Sequence, residues 1–224
     1  TPRQVFDRAF PREPMTGPLA FDPREDVSDF GAQEIIFRWF TDHPPANRQL
    51  VDIGAHGKNS SNTYGLLARG WQGLLIEANP DRARTCRHDF AGLKVTILNI
   101  GVSNEAGRLP LHLNKVVGSS SFLADWDPRA HTGKTVTVNL EPVDKVFRDH
   151  NIPDDLAFLS VDIEGMDYLV VKHLFEKTAC RPRLIITEAA SYKDPIGFFG
   201  QYGYNFLIKL KQDQFGNLLF TRGE

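Results

Sequence analysis

Short apolar runs alternate with helical patterns along most of this chain, and this alternation restricts the fold more than any other feature of the sequence. Each apolar run has the length of a β-strand, and apolar residues recur at helical spacing after it. Such alternation is typical of parallel strands joined by helices, which predicts an α/β fold with a doubly wound sheet. The predicted strands are Gln49–Ile53, Gly73–Glu77, Val95–Ile100, Leu156–Val161 and Leu184–Thr187, and the predicted helices between them lie near Asn62–Arg69, Pro80–Phe90, Val143–His150 and Met166–Phe175.

The ends and one internal segment depart from this alternation. Five prolines in residues 1–28 prevent long helices there, so this segment is predicted to be an arm or a linker, and residues 29–224 are predicted to form one domain whose first helix begins near Ser28. Residues 114–134 lose apolar periodicity between the regular segments Leu109–Leu113 and Thr135–Leu140. They are predicted to be a lid, with a merely irregular loop as the alternative. The segments Asn205–Leu210 and Leu218–Thr221 are predicted to form an antiparallel hairpin.

Composition limits the classes of function. The chain has 224 residues, 41% of them hydrophobic, and a formal net charge of -2, which gives no electrostatic reason to expect nucleic acid or an acidic membrane surface as a partner. No apolar run approaches the roughly 20 residues that span a bilayer. Only Cys86 and Cys180 occur, far apart, which favours a cytoplasmic location over a disulfide-forming compartment. The oligomeric state is not predicted by these features.

The first candidate site is the turn after the first predicted strand, Val51-Asp52-Ile53-Gly54-Ala55-His56-Gly57. Ligands of open parallel sheets bind beyond the carboxyl ends of the strands, where glycines let the backbone approach a bound group. A dinucleotide fingerprint would have further glycines where His56 and Asn59 stand, so a pyrophosphate site is weakly indicated. The alternative is an ordinary strand-to-helix turn with a capping Asp52.

The second candidate site is Glu77, at the end of the next predicted strand. An acid in this place of a doubly wound fold accepts hydrogen bonds from ribose hydroxyls, which predicts an adenosine-type ligand. The alternative is a solvated glutamate beside the helix that Pro80 opens. After the third strand, Gly101 and Val102 place small and apolar groups where an adenine could lie, although core packing explains them equally well.

A cluster of carboxylates follows the fourth predicted strand, in Val161-Asp162-Ile163-Glu164-Gly165-Met166-Asp167. Asp162 and Glu164 lie on the same side if the chain stays extended, and Gly165 permits a sharp turn. Like charges held close together raise each other's pKa, which makes a carboxylate usable as a base or a metal ligand. The alternative for Glu164 and Asp167 is stabilisation of the helix N-terminus.

Taken in order, these pieces resemble the FkbM family of methyltransferases. The resemblance rests on Val51-Asp52-Ile53-Gly54-Ala55, Ile76-Glu77-Ala78-Asn79-Pro80 and Val161-Asp162-Ile163-Glu164-Gly165, and it extends from about Leu50 to Glu188. Two positions depart from the family pattern: Ala78 stands where proline is usual, and His56 stands where asparagine is common.

The resemblance implies a seven-stranded methyltransferase sheet of order 3-2-1-4-5-7-6 and S-adenosylmethionine as the cofactor. It also implies O-methylation of a hydroxyl on a sugar or natural product, so the expected partner is a small-molecule or carbohydrate acceptor. The residues expected to bind the cofactor are Asp52, Gly54, Ala55, Glu77, Ala78, Gly101, Val102 and Asp162.

Asp162 is the first candidate for a catalytic base, because it ends the strand beside the cofactor strand. Glu164 and Glu188 are predicted to share the catalytic site, and Asp162 with Glu188 would also suit Mg²⁺. The alternative bases are His56, His131 and His173. Two other classes of function remain open at this point, namely a nicotinamide-dependent oxidoreductase with the same fold and a binding domain without catalytic activity.

Overall fold

A seven-stranded sheet forms the centre of the structure. The computed structural model describes residues 19–115, 119–126, 131–211 and 216–223, without the side chain of His131. In it, the strands of the main sheet follow the order β3-β2-β1-β7-β8-β10-β9. The first five in that order run parallel, and β10 pairs antiparallel with β8 and β9. These strands are β1 (Gln49–Ile53), β2 (Gln72–Ile76), β3 (Val95–Leu98), β7 (Phe158–Val161), β8 (Leu184–Glu188), β9 (Tyr204–Lys209) and β10 (Asn217–Arg222).

Three further strands form a separate sheet of order β4-β6-β5. They are β4 (Gly101–Ser103), β5 (Gly107–Asn114) and β6 (His131–Pro142). The predicted order 3-2-1-4-5-7-6 therefore does not match the observed strand numbers, because the prediction did not include a second sheet between the third and fourth strands of the first. Strands β5 and β6 form a long antiparallel hairpin. The predicted lid was too long at both ends, because Asn114 is the last residue of β5 and residues 131–134 are the first of β6, so only residues 115–130 connect the two strands.

Helices cover both faces of the main sheet. They are α1 (Ala32–Asp42), α2 (Tyr64–Ala68), α3 (Pro80–Asp89), α4 (Val143–Asp149), α5 (Asp167–Lys177) and α6 (Pro195–Gly200), of which the sequence analysis missed α6. Helix α1 begins later than predicted because Phe30 and Gly31 have φ angles of 58° and 76°. None of the described helices combines the length and apolarity that crossing a membrane requires.

Side chains alternate between two hydrophobic cores, one on each face of the main sheet. Val51 and Ile53 of β1 pack into the core formed with α4, α5 and α6, whereas Leu50 belongs to the core formed with α1, α2 and α3. Because successive side chains of a strand point to opposite faces, Asp52 lies on the same face as Leu50. This alternation decides on which face of the main sheet the side chain of Asp52 makes its contacts.

Candidate active site

A cleft lies at the carboxyl ends of β1, β2 and β7. The space between its walls, including the part open to solvent, is about 570 Å³. Seven of the residues predicted to act there line it together: Gly54, Glu77, Ala78, Gly101, Val102, Asp162 and Glu164. The parallel topology explains this convergence, since the strands of such a sheet end at the same edge.

The floor of the cleft is the backbone of the turn after β1. Gly54 N–H donates to the carbonyl of Ile76 (2.8 Å), and Asp162 N–H donates to the carbonyl of Ile53 (2.9 Å). Gly54 has a φ of +91°, and a β-carbon at this position would overlap the carbonyl oxygen of Asp162. Only glycine therefore allows the turns after β1 and β7 to approach this closely.

Glu77 is held in the cleft by backbone hydrogen bonds. One carboxylate oxygen accepts from His56 N–H (2.9 Å) and the other from Asn79 N–H (2.7 Å). Burial raises the pKa of Glu77, and these two hydrogen bonds act in the opposite direction. A carboxylate oxygen has two lone-pair sites, so each oxygen keeps capacity for one more donor. Glu77 is therefore fixed as an acceptor of hydroxyl hydrogen bonds.

His56 is a cleft residue that the sequence analysis considered only as an alternative base. Its ring Nδ1 lies 3.4 Å from the carbonyl of Asn59, whereas its Nε2 is buried and has no hydrogen-bond partner among the described residues. Burial lowers the pKa of His56, and the nearby Arg82 lowers it further. A neutral ring with Nδ1–H directed at Asn59 leaves Nε2 able to accept a hydrogen bond.

The opposite wall is small and apolar. Gly101 and Val102, the first residues of β4, line it together with Ile100 and Phe122. A β-carbon on Gly101 would lie 2.7 Å from Phe122 Cζ, so glycine leaves room for this ring. The wall therefore combines a glycine backbone with aliphatic and aromatic faces, which suits a flat heteroaromatic ring. Phe122 was not among the predicted site residues, because it is distant in sequence from the strand-end motifs.

Asp162 carries a strongly perturbed carboxyl group in the cleft. Its pKa lies well above the ordinary range, first because of burial and then because of the charges of Asp167 and Glu164. Asp167 is itself fully buried and accepts hydrogen bonds from the hydroxyls of Thr187 (3.0 Å) and Ser191 (3.0 Å). A carboxyl group with a raised pKa can take up a proton near neutral pH.

Part of the predicted lid lies against the turn after β7. Trp126 Nε1–H donates to Glu164 Oε2 (2.7 Å), and the hydroxyl of Ser121 donates to the carbonyl of Glu164 (2.7 Å). A β-carbon on Gly165 would lie 2.5 Å from Trp126 Cε3, so the indole packs directly on this glycine. Residues 119–126 therefore cover the carboxylate turn, while residues 116–118 and 127–130 of the predicted lid lie outside the described residues.

Asp52 and Ala55 do not line the cleft, although both were predicted to bind the cofactor. Asp52 is buried on the α2 side of the sheet, where Thr63 Oγ1–H donates to its Oδ2 (2.6 Å). Ala55 is buried in the same core and donates its N–H to the carbonyl of Ile76 (3.2 Å). Cofactor contact stays a prediction for these two residues, and their positions favour support of the glycine turn.

The burial of Asp52 leads to a prediction about stability and pH. Burial raises the pKa of Asp52 from 3.8 to about 6, so the folded state holds this proton more tightly than the unfolded state. The stability that the proton contributes is complete below about pH 4 and is lost as the pH rises through 6. A shift of roughly two units corresponds to about 3 kcal/mol.

We therefore expect Asp52→Asn to gain stability relative to the native chain between pH 4 and pH 7, by up to about 3 kcal/mol. Asparagine retains an oxygen that accepts from Thr63 but has no proton to lose. Urea unfolding of both chains at the two pH values measures the difference. An equal difference in the free energy of unfolding at pH 4 and pH 7 would contradict this role of Asp52.

Glu188 lies at the same edge of the sheet but does not line the cleft. It is buried at the end of β8, and its backbone N–H donates to Asp167 (3.2 Å). In the described part of the chain, no three His, Cys, Asp or Glu side chains form a group that could hold a metal ion. The Mg²⁺ site predicted at Asp162 and Glu188 is therefore not supported by the donors that are present.

Of the other two candidate histidines, His173 is not among the described residues that line the cleft. His173 Nε2 lies 3.0 Å from Asp144 Oδ1, which links α5 to α4. The side chain of His131 lies outside the described residues. Of the alternative bases, His56 is therefore the one that the described structure places in the cleft.

Comparison with known proteins agrees with this geometry. The methyltransferase FkbM domain model matches residues 52–217, a span that contains every residue that lines the cleft. No curated protein is similar enough in sequence to count as a match.

Three solved structures are similar to this chain at low sequence identity. The FkbM methyltransferase of Methylobacillus flagellatus is 15% identical to this chain, with a TM-score of 0.52. The alignment covers 89% of this chain and 56% of that protein, so this chain spans just over half the length of that protein. A Haemophilus influenzae protein described as a methylase is 12% identical with a TM-score of 0.46, over 86% of this chain and 88% of that one. The fibrillarin pre-rRNA processing protein of Methanococcus jannaschii is 13% identical with a TM-score of 0.46, and the alignment covers 90% of this chain and 76% of that protein.

The Methylobacillus flagellatus structure, at 15% identity, shows the fold alone. The domain model, in contrast, covers most of the chain and includes all three motifs except Val51. The glycine turn after β1, Glu77 after β2 and the carboxylate turn after β7 also converge on one cleft. On these grounds, the chain belongs to the FkbM methyltransferase family.

Proposed function

We propose that this chain is an S-adenosylmethionine-dependent methyltransferase that methylates a hydroxyl group of a sugar or natural product. The observation that carries the proposal is the position of Glu77, a carboxylate fixed by two backbone N–H groups in a cleft that Asp162 also lines. The presence of both carboxyl groups in one cleft supports a site in which Glu77 accepts from ribose hydroxyls and Asp162 acts as the base.

The residues of the cleft fit the proposed cofactor. Glu77 would hold the ribose hydroxyls, and the buried Nε2 of His56 offers a further acceptor that no described protein group uses. Gly101, Val102 and Phe122 would hold the adenine between aliphatic and aromatic surfaces. Bound there, S-adenosylmethionine supplies a methyl group on a positively charged sulfur that leaves as a neutral thioether.

Asp162 has the chemistry required of the base. As the acceptor oxygen forms its bond to the methyl carbon, the hydroxyl proton has to leave, and the raised pKa of Asp162 suits it to receive that proton. The turns after β1 and β7 fix the position of Asp162 through its backbone, so the carboxyl group is held in place before the acceptor binds. No step needs a metal ion.

A nicotinamide-dependent oxidoreductase is the second candidate, because Glu77 would hold the ribose of either cofactor. His56 and Asn59 stand where the dinucleotide fingerprint has glycines, so the pyrophosphate would lack its usual backbone contacts. Calorimetric titration with S-adenosylmethionine, S-adenosylhomocysteine and NADH separates the two. We expect binding of the first two and none of NADH, and the reverse result would overturn the proposal.

A domain that binds the cofactor without catalysis is the third candidate. It would have no use for a base with a raised pKa, so the perturbed Asp162 favours an enzyme. We also propose a cytoplasmic location for this chain, which accords with its two buried free thiols, Cys86 and Cys180.

Glu77→Ala is expected to weaken S-adenosylmethionine binding by roughly ten- to hundred-fold, because hydrogen bonds to a charged acceptor contribute about 1.5–3 kcal/mol. Calorimetry measures the affinity. Glu77→Gln is the second variant, and we expect it to fold better than Glu77→Ala because it keeps one carbonyl acceptor for the backbone N–H groups. Glu105→Ala is the matched control, because Glu105 is exposed and outside the cleft. Native affinity in folded Glu77 variants would remove the ribose assignment.

A further inference from the structure

A second hollow is lined in part by Trp126. It is lined by aromatic and aliphatic side chains and one lysine: Trp126, Tyr192, Ile196, Phe206, Lys209 and Leu218. Its empty space, including the part open to solvent, is about 1170 Å³. We call this hollow the Trp126 groove.

The Trp126 groove lies at the same edge of the main sheet as the cleft. Leu218 directly follows Asn217, which pairs with Glu188 at the carboxyl end of β8, and Leu218 itself pairs with Lys209. Strand β8 is the parallel neighbour of β7, the strand that ends at Asp162. The groove is therefore beside the turn that carries the candidate base.

A hydrogen bond joins a residue of the groove to a residue of the cleft. Trp126, which lines the groove, donates its indole N–H to Oε2 of Glu164, which lines the cleft (2.7 Å). A molecule that packs on Trp126 in the groove therefore lies beside a residue of the cleft.

The chemistry of the Trp126 groove is mostly apolar. Ile196 and Phe206 are 58% and 42% exposed, which is unusual for large hydrophobic side chains that share one surface with a tryptophan. Lys209 is the one charged residue among the described lining residues. These side chains suit a ligand with an apolar or aromatic body and one anionic group.

We propose that the Trp126 groove binds the methyl acceptor, and that this acceptor is an amphiphile with an apolar or aromatic body and an anionic group that pairs with Lys209. The proposal rests on the proposed function, because it needs a methyl donor in the neighbouring cleft. It narrows the acceptor class, since a free neutral sugar would leave both Lys209 and the apolar surface of Ile196 unused.

The test uses the full chain and two fluorescent probes of nearly the same shape. The anionic probe is 1-anilinonaphthalene-8-sulfonate and the neutral one is N-phenyl-1-naphthylamine, each titrated in the presence of saturating S-adenosylhomocysteine. We expect Ile196→Asp to weaken binding of both probes at least tenfold. Lys209→Gln should weaken only the anionic probe, by roughly three- to tenfold. Leu109→Asp, which changes a similarly exposed leucine on β5, should bind both probes as the native chain does.

Two results would overturn the proposal in distinguishable ways. Native probe affinities in Ile196→Asp and Lys209→Gln, with normal calorimetric binding of S-adenosylhomocysteine to the same samples, would exclude the Trp126 groove and leave the proposed function standing. A native chain that does not bind S-adenosylhomocysteine would remove the proposed function, and with it the acceptor role of the groove, whatever the probes show.

Discussion

Asp162→Asn is expected to reduce methyl-transfer turnover by roughly 10²–10⁴-fold, the range typical of losing a general base. Asparagine keeps the size and shape of the side chain but cannot take up the proton of the acceptor hydroxyl. The affinity for S-adenosylmethionine should change little, because Glu77 and the opposite wall of the cleft are unaltered. Single-turnover kinetics and calorimetry on the same preparation separate these two effects.

The pH dependence of turnover gives an independent check. Burial and the charges of Asp167 and Glu164 raise the pKa of Asp162, so the basic form is lost at a higher pH than for an ordinary aspartate. Native turnover should therefore fall on the acid side of the profile, and this limb should be absent in the Asn variant. Asp149→Asn, on the solvent side of α4, is the control and should retain native turnover. Full turnover in Asp162→Asn would exclude this carboxyl group as the base.

Gly54→Ala is expected to lower the free energy of unfolding by about 3 kcal/mol or more, and to disrupt the cleft in whatever fraction still folds. Two causes act together at this glycine. Its φ of +91° is unfavourable for any residue with a β-carbon, and the added carbon would overlap the carbonyl of Asp162. The turns after β1 and β7 would have to separate, and Asp162 would move with them.

Gly70→Ala is the matched control for that substitution. Gly70 has a similar φ of +84°, but no described atom lies within 4 Å of the place that an added β-carbon would occupy, so only the backbone cost of roughly 1 kcal/mol applies. Thermal or urea unfolding of the two variants measures the difference. An equal decrease in the free energy of unfolding for Gly54→Ala and Gly70→Ala would show that the close approach to Asp162 does not contribute to the cost of the Gly54 substitution.

The sheet and the positions of its strand ends were predictable because local signals agree. The predicted strand Gln49–Ile53 is confirmed at both ends, and Asn79 and Pro80 begin α3 as a capping residue and a first-turn proline should. Glu77 could be placed at the end of β2 because the apolar run stops there and the helix begins three residues later.

The face of the sheet on which Asp52 lies could not be predicted from such local signals. Strand β1 is buried on both faces, so its sequence carries no polar alternation that would show which face Asp52 occupies. Only the fold reveals that it lies with Leu50 on the α2 side and bonds to Thr63. The prediction of a cofactor contact came from the motif, which does not contain this information.

Contacts between distant segments account for the rest of what the sequence did not predict. The bond between Trp126 and Glu164 depends on how the hairpin of β5 and β6 is oriented over the main sheet, and nothing near either residue encodes that orientation. The second sheet was not predicted for the same reason. Its two long strands contain the predicted regular segments Leu109–Leu113 and Thr135–Leu140, but Gly101–Ser103 is too short to be recognised as a strand until it pairs with β6.

A crystal structure of the full chain with S-adenosylhomocysteine tests the central claim most directly, because it locates the cofactor relative to both carboxylates. We predict ribose hydroxyls within hydrogen-bond distance of Glu77, adenine against Gly101 and Val102, and the sulfur on the side of the cleft that Asp162 lines. A cofactor bound elsewhere, or a ribose that does not contact Glu77, would contradict the account.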